Sequence, residues 1–247
     1  MARALSKMGY CSRSQAGALI EDKRVRVNGR IARDTEEPVR FPDDRIEVDG
    51  VRVVQKEVVY LVVNKPRGLV TTASDERGRT TIYSLLDPGA PWVSPVGRLD
   101  KASEGLLLLT NDSEWAARIA DPRSHLDKIY HVQVNRIVDA DLLARITEGC
   151  TVDSDRLRAK EARLLRYGDK NSWLEITLDE GKNRQIRRLL DALDVGVLRL
   201  VRVSIGPLNL GELSKGSVRP LTIQEKQALD RALVEGKAPK KTTGACR

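Results

Sequence analysis

Four consecutive leucines, residues 106–109, close the stretch GRLDKASEGLLLLTND at residues 97–112. An apolar run of this kind, with no polar residue alternating through it, leaves no face for solvent and reads as a strand buried on both sides. Yet Arg98, Asp100, Lys101 and Glu104 lie within a few residues of it. The chain therefore carries charged groups to the edge of its own core, where a lone Asp is ordinarily a structural turn residue.

The surrounding segments place this strand in a mixed architecture. VVYLVVNKPRG (58–68) is a second buried strand running into a Lys-Pro-Arg-Gly turn, and KIYHVQV (128–134), SWLEITL (172–178) and VLRLVRVSIG (197–206) follow as strands. Helical stretches are expected around 114–120, 140–146 and 184–193. Strands and helices mix without a regular βαβ period, which predicts an α+β fold with a mixed, mostly antiparallel sheet flanked by helices. Only 4% of the residues are aromatic, so aliphatic side chains must build this core.

The first 54 residues read as a separate small unit. Ala4, Leu5 and Met8 mark a short first helix, and Ser12 with Gln15 forms a capping box that starts a second, running to about Asp22. RVRVNGRIA and DRIEVDGVRV then alternate around Asn28-Gly29 and Asp49-Gly50, both strong hairpin signals. The unit is thus two helices and a small sheet, and a larger domain is expected over 58–235. A tail over 236–247, lacking periodicity, is expected to be disordered.

Charge limits the partners. The net charge is +8, which favours an anionic partner. No apolar run approaches the roughly 20 residues that cross a bilayer, and no signal sequence is visible, so a cytoplasmic protein is expected. Cys11, Cys150 and Cys246 are scattered, and His125 and His131 have no cysteine nearby; neither a disulfide framework nor a metal site is expected. In the first unit Arg3, Lys7, Arg13, Lys23, Arg24, Arg26, Arg30 and Arg33 are opposed by Glu21, Asp22 and Asp34 alone. On so small a module this favours phosphate contact over a merely solvated face, with Arg3, Arg13, Arg24 and Arg26 as candidate RNA contacts. The helix–helix–hairpin pattern resembles the alpha-L RNA-binding module of a ribosomal small-subunit protein and several RNA-modifying enzymes.

Three stretches bear on Asp100. In DKIYHV, strand alternation puts Lys128, Tyr130 and Val132 on one face. DEGKNRQIRRLL gathers Lys182, Arg184, Arg187 and Arg188 at a helix start, where acidic residues are normally preferred, so an anion is expected nearby. NKPRG adds Lys65 and Arg67 in a basic loop. A Walker-type phosphate loop does not fit, because Gly181-Lys182 lacks the upstream glycine and the following Ser or Thr.

Taken in order, GRLDKASEGLLLLTND, KIYHVQV, EGKNRQIRRLL and SVRPLT resemble the bacterial ribosomal RNA pseudouridine synthases of the RsuA/RluB-like family, over nearly the whole chain. That resemblance implies cofactor-free isomerisation of uridine to pseudouridine in ribosomal RNA or a pre-ribosomal particle. Large-subunit RNA is favoured over small, and a monomer is expected. It implies that Asp100 is the catalytic carboxylate, attacking the sugar or removing a sugar proton. Arg187 would pair with Asp100 and keep it charged. Tyr130 would stack on the base and move a proton, and Arg98 would fill the gap left by the flipped uridine. Lys65 and Lys182 would contact phosphates, with Arg67, Lys128 and Arg184 completing the RNA-binding set. The leucine strand would then hold Asp100 within the tolerance catalysis needs. Two other readings stand beside this one: a non-catalytic RNA-binding or ribosome-assembly factor, and a metal-dependent nuclease using carboxylates such as Glu104 and Asp112.

Overall fold

The computed structural model describes residues 1–40, 43–73 and 75–236. The expected tail, from residue 237 onward and including Cys246, lies outside the described residues.

Helices α1 (Ala2–Lys7) and α2 (Arg13–Glu21) open the chain. The capping box is complete: Gln15 N–H donates to Ser12 Oγ, and Ser12 N–H donates to Gln15 Oε1. Strands β1 (Val25–Val27), β2 (Arg30–Ile31), β3 (Ile46–Val48) and β4 (Val51–Arg52) form a sheet in the order β2-β1-β3-β4. Both hairpins turn where expected, with positive φ at Asn28, Gly29, Asp49 and Gly50, the backbone a two-residue type I′ turn requires. Leu5, Ala16, Ile20, Val25, Ile46 and Val48 close a small aliphatic core of their own.

The rest of the chain holds, in order, β5 (Tyr60–Lys65), β6 (Ser94–Val96), β7 (Glu104–Thr110), α3 (Ser113–Ala120), β8 (Lys128–Val134), α4 (Ala140–Glu148), β9 (Cys150–Val152), β10 (Asp155–Leu157), β11 (Glu161–Tyr167), β12 (Ser172–Leu178), α5 (Gln185–Asp191), β13 (Val197–Ile205), β14 (Leu208–Asn209), β15 (Val218–Pro220) and α6 (Ile223–Glu235). Among the described residues the main sheet has nine strands, ordered β11-β12-β8-β13-β7-β5-β15, with β14 on β13 and β6 on β7. The β7–β13 pair is parallel and the other ladders are antiparallel. The fold is α+β with a mixed, mostly antiparallel sheet.

Strand β7 lies inside the sheet and is buried along its full length. Leu106 and Leu108 pack with Trp115 and Ile119 of α3 and with Leu229 and Leu233 of α6. Leu107 and Leu109 pack on the other face with Val63, Ile82, Val93 and Leu99. Burial on both faces is why an unbroken leucine run is tolerated here. At its start β7 comes against β13 so closely that a Cβ on Gly105, whose φ is +101°, would sit 2.2 Å from the Arg202 carbonyl oxygen. No helix among the described residues is long and apolar enough to cross a membrane.

The small unit sits against the large one. Lys7 pairs with Glu114 at 2.9 Å, Lys56 N–H donates to the Met8 carbonyl, and Trp92 N–H to the Gly9 carbonyl.

Candidate active site

The loop that feeds β7 is held by its backbone. Thr71 Oγ1 donates to the Leu99 carbonyl at 2.7 Å, and Lys65 Nζ to those of Asp100 (3.1 Å) and Ser103 (2.8 Å). Gly68 N–H donates to the Lys101 carbonyl, and Arg187 Nη2 to that of Ala102 at 3.1 Å. Five successive carbonyls, residues 99–103, are thus each captured by a donor, and those donors stand on β5, on the turn after it and on α5. Among the described residues the Asp100 carboxylate is left with one ion pair, a long one of 3.8 Å to Arg184.

Asp100 opens onto a cleft of about 430 Å³ together with Arg98, Lys128, Tyr130, Lys182, Arg184 and Arg202. Arg98 and Arg184 are exposed at the rim, Lys128 and Tyr130 half-buried. The alternation expected for β8 holds, since Lys128 and Tyr130 both face this cleft. Burial and the neighbouring Arg202 pull the Lys128 ammonium below its ordinary pKa.

The cations of the α5 segment disperse rather than converge. Arg184, at the helix N-cap with a left-handed φ of 49°, reaches towards Asp100. Lys182 donates to the Arg156 carbonyl at 2.7 Å and pairs with Glu180 at 3.2 Å. Arg188 turns away to Asp155 at 2.9 Å. The helix itself begins at Gln185, whose amide bonds the Arg158 carbonyl and Glu180. So the anions expected near this helix start are the protein's own carboxylates, distributed among three cations.

Two expectations need correction. Arg187 does not close an ion pair with Asp100; that contact belongs to Arg184. The Arg187 guanidinium lies behind the loop, donating to Ala102, with its Nε buried and unpartnered. Burial and the nearby Arg184 and Arg67 charges lower its pKa, while Asp100 opposes them. Lys65 is not a phosphate contact. It is fully buried, because it ends β5 on the face that carries Val63 instead of beginning the loop, and its three hydrogen bonds all go to carbonyls, the third being that of Pro66 at 3.2 Å. Burial pushes its ammonium down to about 8 against the pull of Asp100 and Glu104. Arg67 is exposed on the turn beside it.

The carboxylates weighed for a metal site have other work. Glu104 is buried between Arg199 and Lys215, at 3.1 and 2.6 Å, and Asp112 caps α3 by accepting from Glu114 and Trp115 N–H. On the small unit Arg3, Arg13, Arg24 and Arg26 are exposed. Arg24 is already paired with Asp49 at 2.6 Å and Arg26 donates to the Gly29 carbonyl, which leaves Arg3 and Arg13 with neither an ion pair nor a side-chain hydrogen bond among the described residues. Arg202, which no sequence motif singles out, also lines the cleft, and strand alternation with buried Leu200 marks it as an arginine on an inward face.

Known proteins resemble this chain over most of its length. Residues 59–192 match the RNA pseudouridylate synthase family, and residues 2–46 match the S4 domain. The chain is 36% identical over 236 residues to the ribosomal large subunit pseudouridine synthase B of Bacillus subtilis (strain 168), covering 94% of this chain and 96% of that protein. It is 40% identical over 238 residues to an uncharacterized RNA pseudouridine synthase of Aquifex aeolicus (strain VF5), covering 96% of each. A crystal structure of a pseudouridylate synthase, 32% identical, covers 92% of this chain and 98% of its own with a TM-score of 0.65. With a family model matched over more than half of its length and relatives of 36–40% identity over nearly all of it, the chain belongs to the RNA pseudouridylate synthase family.

Proposed function

We propose that this protein converts a specific uridine of ribosomal RNA, in the large subunit, to pseudouridine, with Asp100 as the catalytic carboxylate and no cofactor. The observation that carries the assignment is the Asp100 loop: its backbone is fastened at every carbonyl while its carboxylate stays in the cleft with Tyr130, lightly paired. A fixed and available carboxylate suits either attack on C1′ of the ribose or removal of its 2′ proton. Tyr130 supplies a ring on which the extruded base can stack, and exposed Arg98 stands at the rim where an RNA stack with a missing base would need filling. Arg184, Lys128 and Lys182 supply positive potential to the cleft, and Arg3 and Arg13 to the S4 surface. Half-buried Arg187 acts on Asp100 through the Ala102 carbonyl and its charge. The match to a large-subunit enzyme over nearly its full length supports the choice of RNA, and that substrate in turn implies a cytoplasmic site of action.

The test is to incubate the protein with ribosomal RNA from a strain lacking it and map pseudouridine. Wild type should add it at one or a few large-subunit positions, and Asp100→Asn should add none while still binding RNA. Equal patterns from both proteins would overturn the role of Asp100, and new pseudouridine confined to small-subunit RNA would overturn the choice of subunit.

A further inference from the structure

Arg202 is 6% exposed, and no carboxylate lies within ion-pair distance of it among the described residues. Its Nε donates to the Leu106 carbonyl at 2.8 Å, and its Nη2 is buried with no partner. A buried cation ordinarily has a counter-ion and saturated donors; of the five N–H groups on this guanidinium, the contact to Leu106 uses one. The residue lines the cleft and lies directly opposite Tyr130 across the β8–β13 ladder. Lys128, a second cation, faces the same cleft. The buried apolar side chains Leu178, Ile186 and Leu200 line the same cleft.

We propose that Arg202 is a further catalytic residue, donating to a carbonyl oxygen of the flipped uracil and stabilising the negative charge the ring acquires when its bond to the sugar breaks. This rests on the reading above, that the cleft isomerises uridine at Asp100. When C1′–N1 breaks, its electron pair goes to N1 and spreads onto O2 and O4. C1′ meanwhile bonds an Asp100 oxygen or, with the 2′ proton passing to Asp100, forms a double bond to C2′. When the base rejoins through C5, its electron pair makes the C1′–C5 bond, the C5 proton leaves and N1 is protonated. Asp100 at that point departs from C1′ or returns the proton to C2′. Net charge sits on the ring only between the two bond changes.

That timing fits a buried cation in a cleft lined by apolar side chains. The uncharged base can be desolvated against it at little cost, and the interaction strengthens as charge develops. Phosphates are charged and hydrated throughout, and the exposed rim cations Arg98 and Arg184 suit them better. The Tyr130 neighbour places the guanidinium at the edge of a base stacked on that ring.

The experiment compares single-turnover rates of wild type, Arg202→Gln and Arg202→Lys on the same RNA carrying uridine or 5-fluorouridine at the target, reading consumption of the target nucleoside in nuclease digests. Fluorine withdraws charge from the ring and makes the base a better leaving group. Arg202→Gln should slow the uridine substrate about 100-fold, the scale of removing one oxyanion donor, and the 5-fluorouridine substrate less than about 10-fold, with RNA affinity within about threefold. Arg202→Lys, which keeps a donor for the Leu106 carbonyl, supplies the measurement if the Gln variant does not fold. Equal losses on both substrates, or a loss confined to RNA affinity, would overturn the proposal and leave Arg202 a structural or phosphate contact. A wild type that makes no pseudouridine would overturn the functional reading itself, and the inference with it.

Discussion

Lys65→Met separates the stability of the fold from the placement of Asp100. Methionine keeps an unbranched stem in a fully buried position and removes the ammonium. The Asp100 carbonyl retains the Ser103 N–H, but those of Pro66 and Ser103 lose the donor they have in Lys65. At about 1–3 kcal/mol for each buried group left unsatisfied, the loss is about 2–6 kcal/mol. Against it stands the relief of a buried charge. An ammonium brought down to about 8 carries a penalty of about 3 kcal/mol at neutral pH. The two nearly cancel, so the melting temperature should fall by no more than about 10 °C. Activity should fall further, about 100-fold, because the loop carrying Asp100 is free to move by an ångström or so. Thermal melts and single-turnover pseudouridine formation read the two quantities separately. The reasoning also has a pH signature. Below about 8 the folded and unfolded states both hold the proton and the burial penalty is fully present. From about 8 to the ordinary lysine range only the unfolded state holds it, so wild type gains stability with rising pH, and Lys65→Met lacks that gain. A variant within about threefold of wild-type activity would refute the clamp.

Gly105→Ala should destabilise by about 3 kcal/mol or more, since it meets both a positive φ and the Arg202 carbonyl; Gly89→Ala, with open space around its Cβ position, should stay within about 0.5 kcal/mol in the same denaturant titration. The double variant Arg3→Ala/Arg13→Ala should weaken binding to all RNA sequences alike. It should also flatten the plot of log affinity against log salt by about 0.7–0.9 for each phosphate no longer neutralised, whereas Arg24→Ala, whose guanidinium is committed to Asp49, should leave that slope unchanged. Arg98→Ala should reduce turnover without moving the melting temperature, because the residue is exposed and has no ion pair among the described residues.

Local chemistry was the legible part of this fold. Ser12 with Gln15, Asn28-Gly29 and Asp49-Gly50 act within a few residues, and each occurs where the pattern puts it. The buried leucine run, too, needs no knowledge of its partners. Elements that depend on distant company were harder. Helix α6 buries only Leu229 and Leu233, while its other large apolar residues, Ile223 and Val234, are exposed, so its apolar stripe is too narrow to stand out. Strand β11 lies at the edge of the sheet with most residues exposed, and the β9–β10 hairpin turns through Asp153-Ser154 without a glycine. In the site, Arg98 and Asp100 from one motif and Tyr130 from another are brought to one cleft. Lys65 reads as a phosphate contact from its charge alone, whereas its strand face buries it; Arg187 reads as the partner of Asp100, whereas Arg184 makes that contact. Arg202 required the β8–β13 register to be seen beside Tyr130.

If Asp100 is the catalytic carboxylate as proposed, the donors around its loop explain how it would be both fixed and reactive. A carboxylate held by its own oxygens would be rigid but committed: a short bidentate pair to an arginine lowers its basicity and blocks its approach to substrate. Here rigidity enters through the main chain. Lys65, Thr71, Gly68 and Arg187 all spend their donors on carbonyls, and the leucines of β7 fasten the end of the loop into two apolar layers. None of these bonds must break for the Asp100 side chain to act. Among the described residues the single ion pair it makes is to Arg184, an exposed residue that RNA phosphates would draw away if they bind at the rim as proposed. Substrate entry at the rim would then loosen the one restraint on the carboxylate while leaving its backbone anchored, so that Asp100 becomes most available when a nucleotide occupies the cleft.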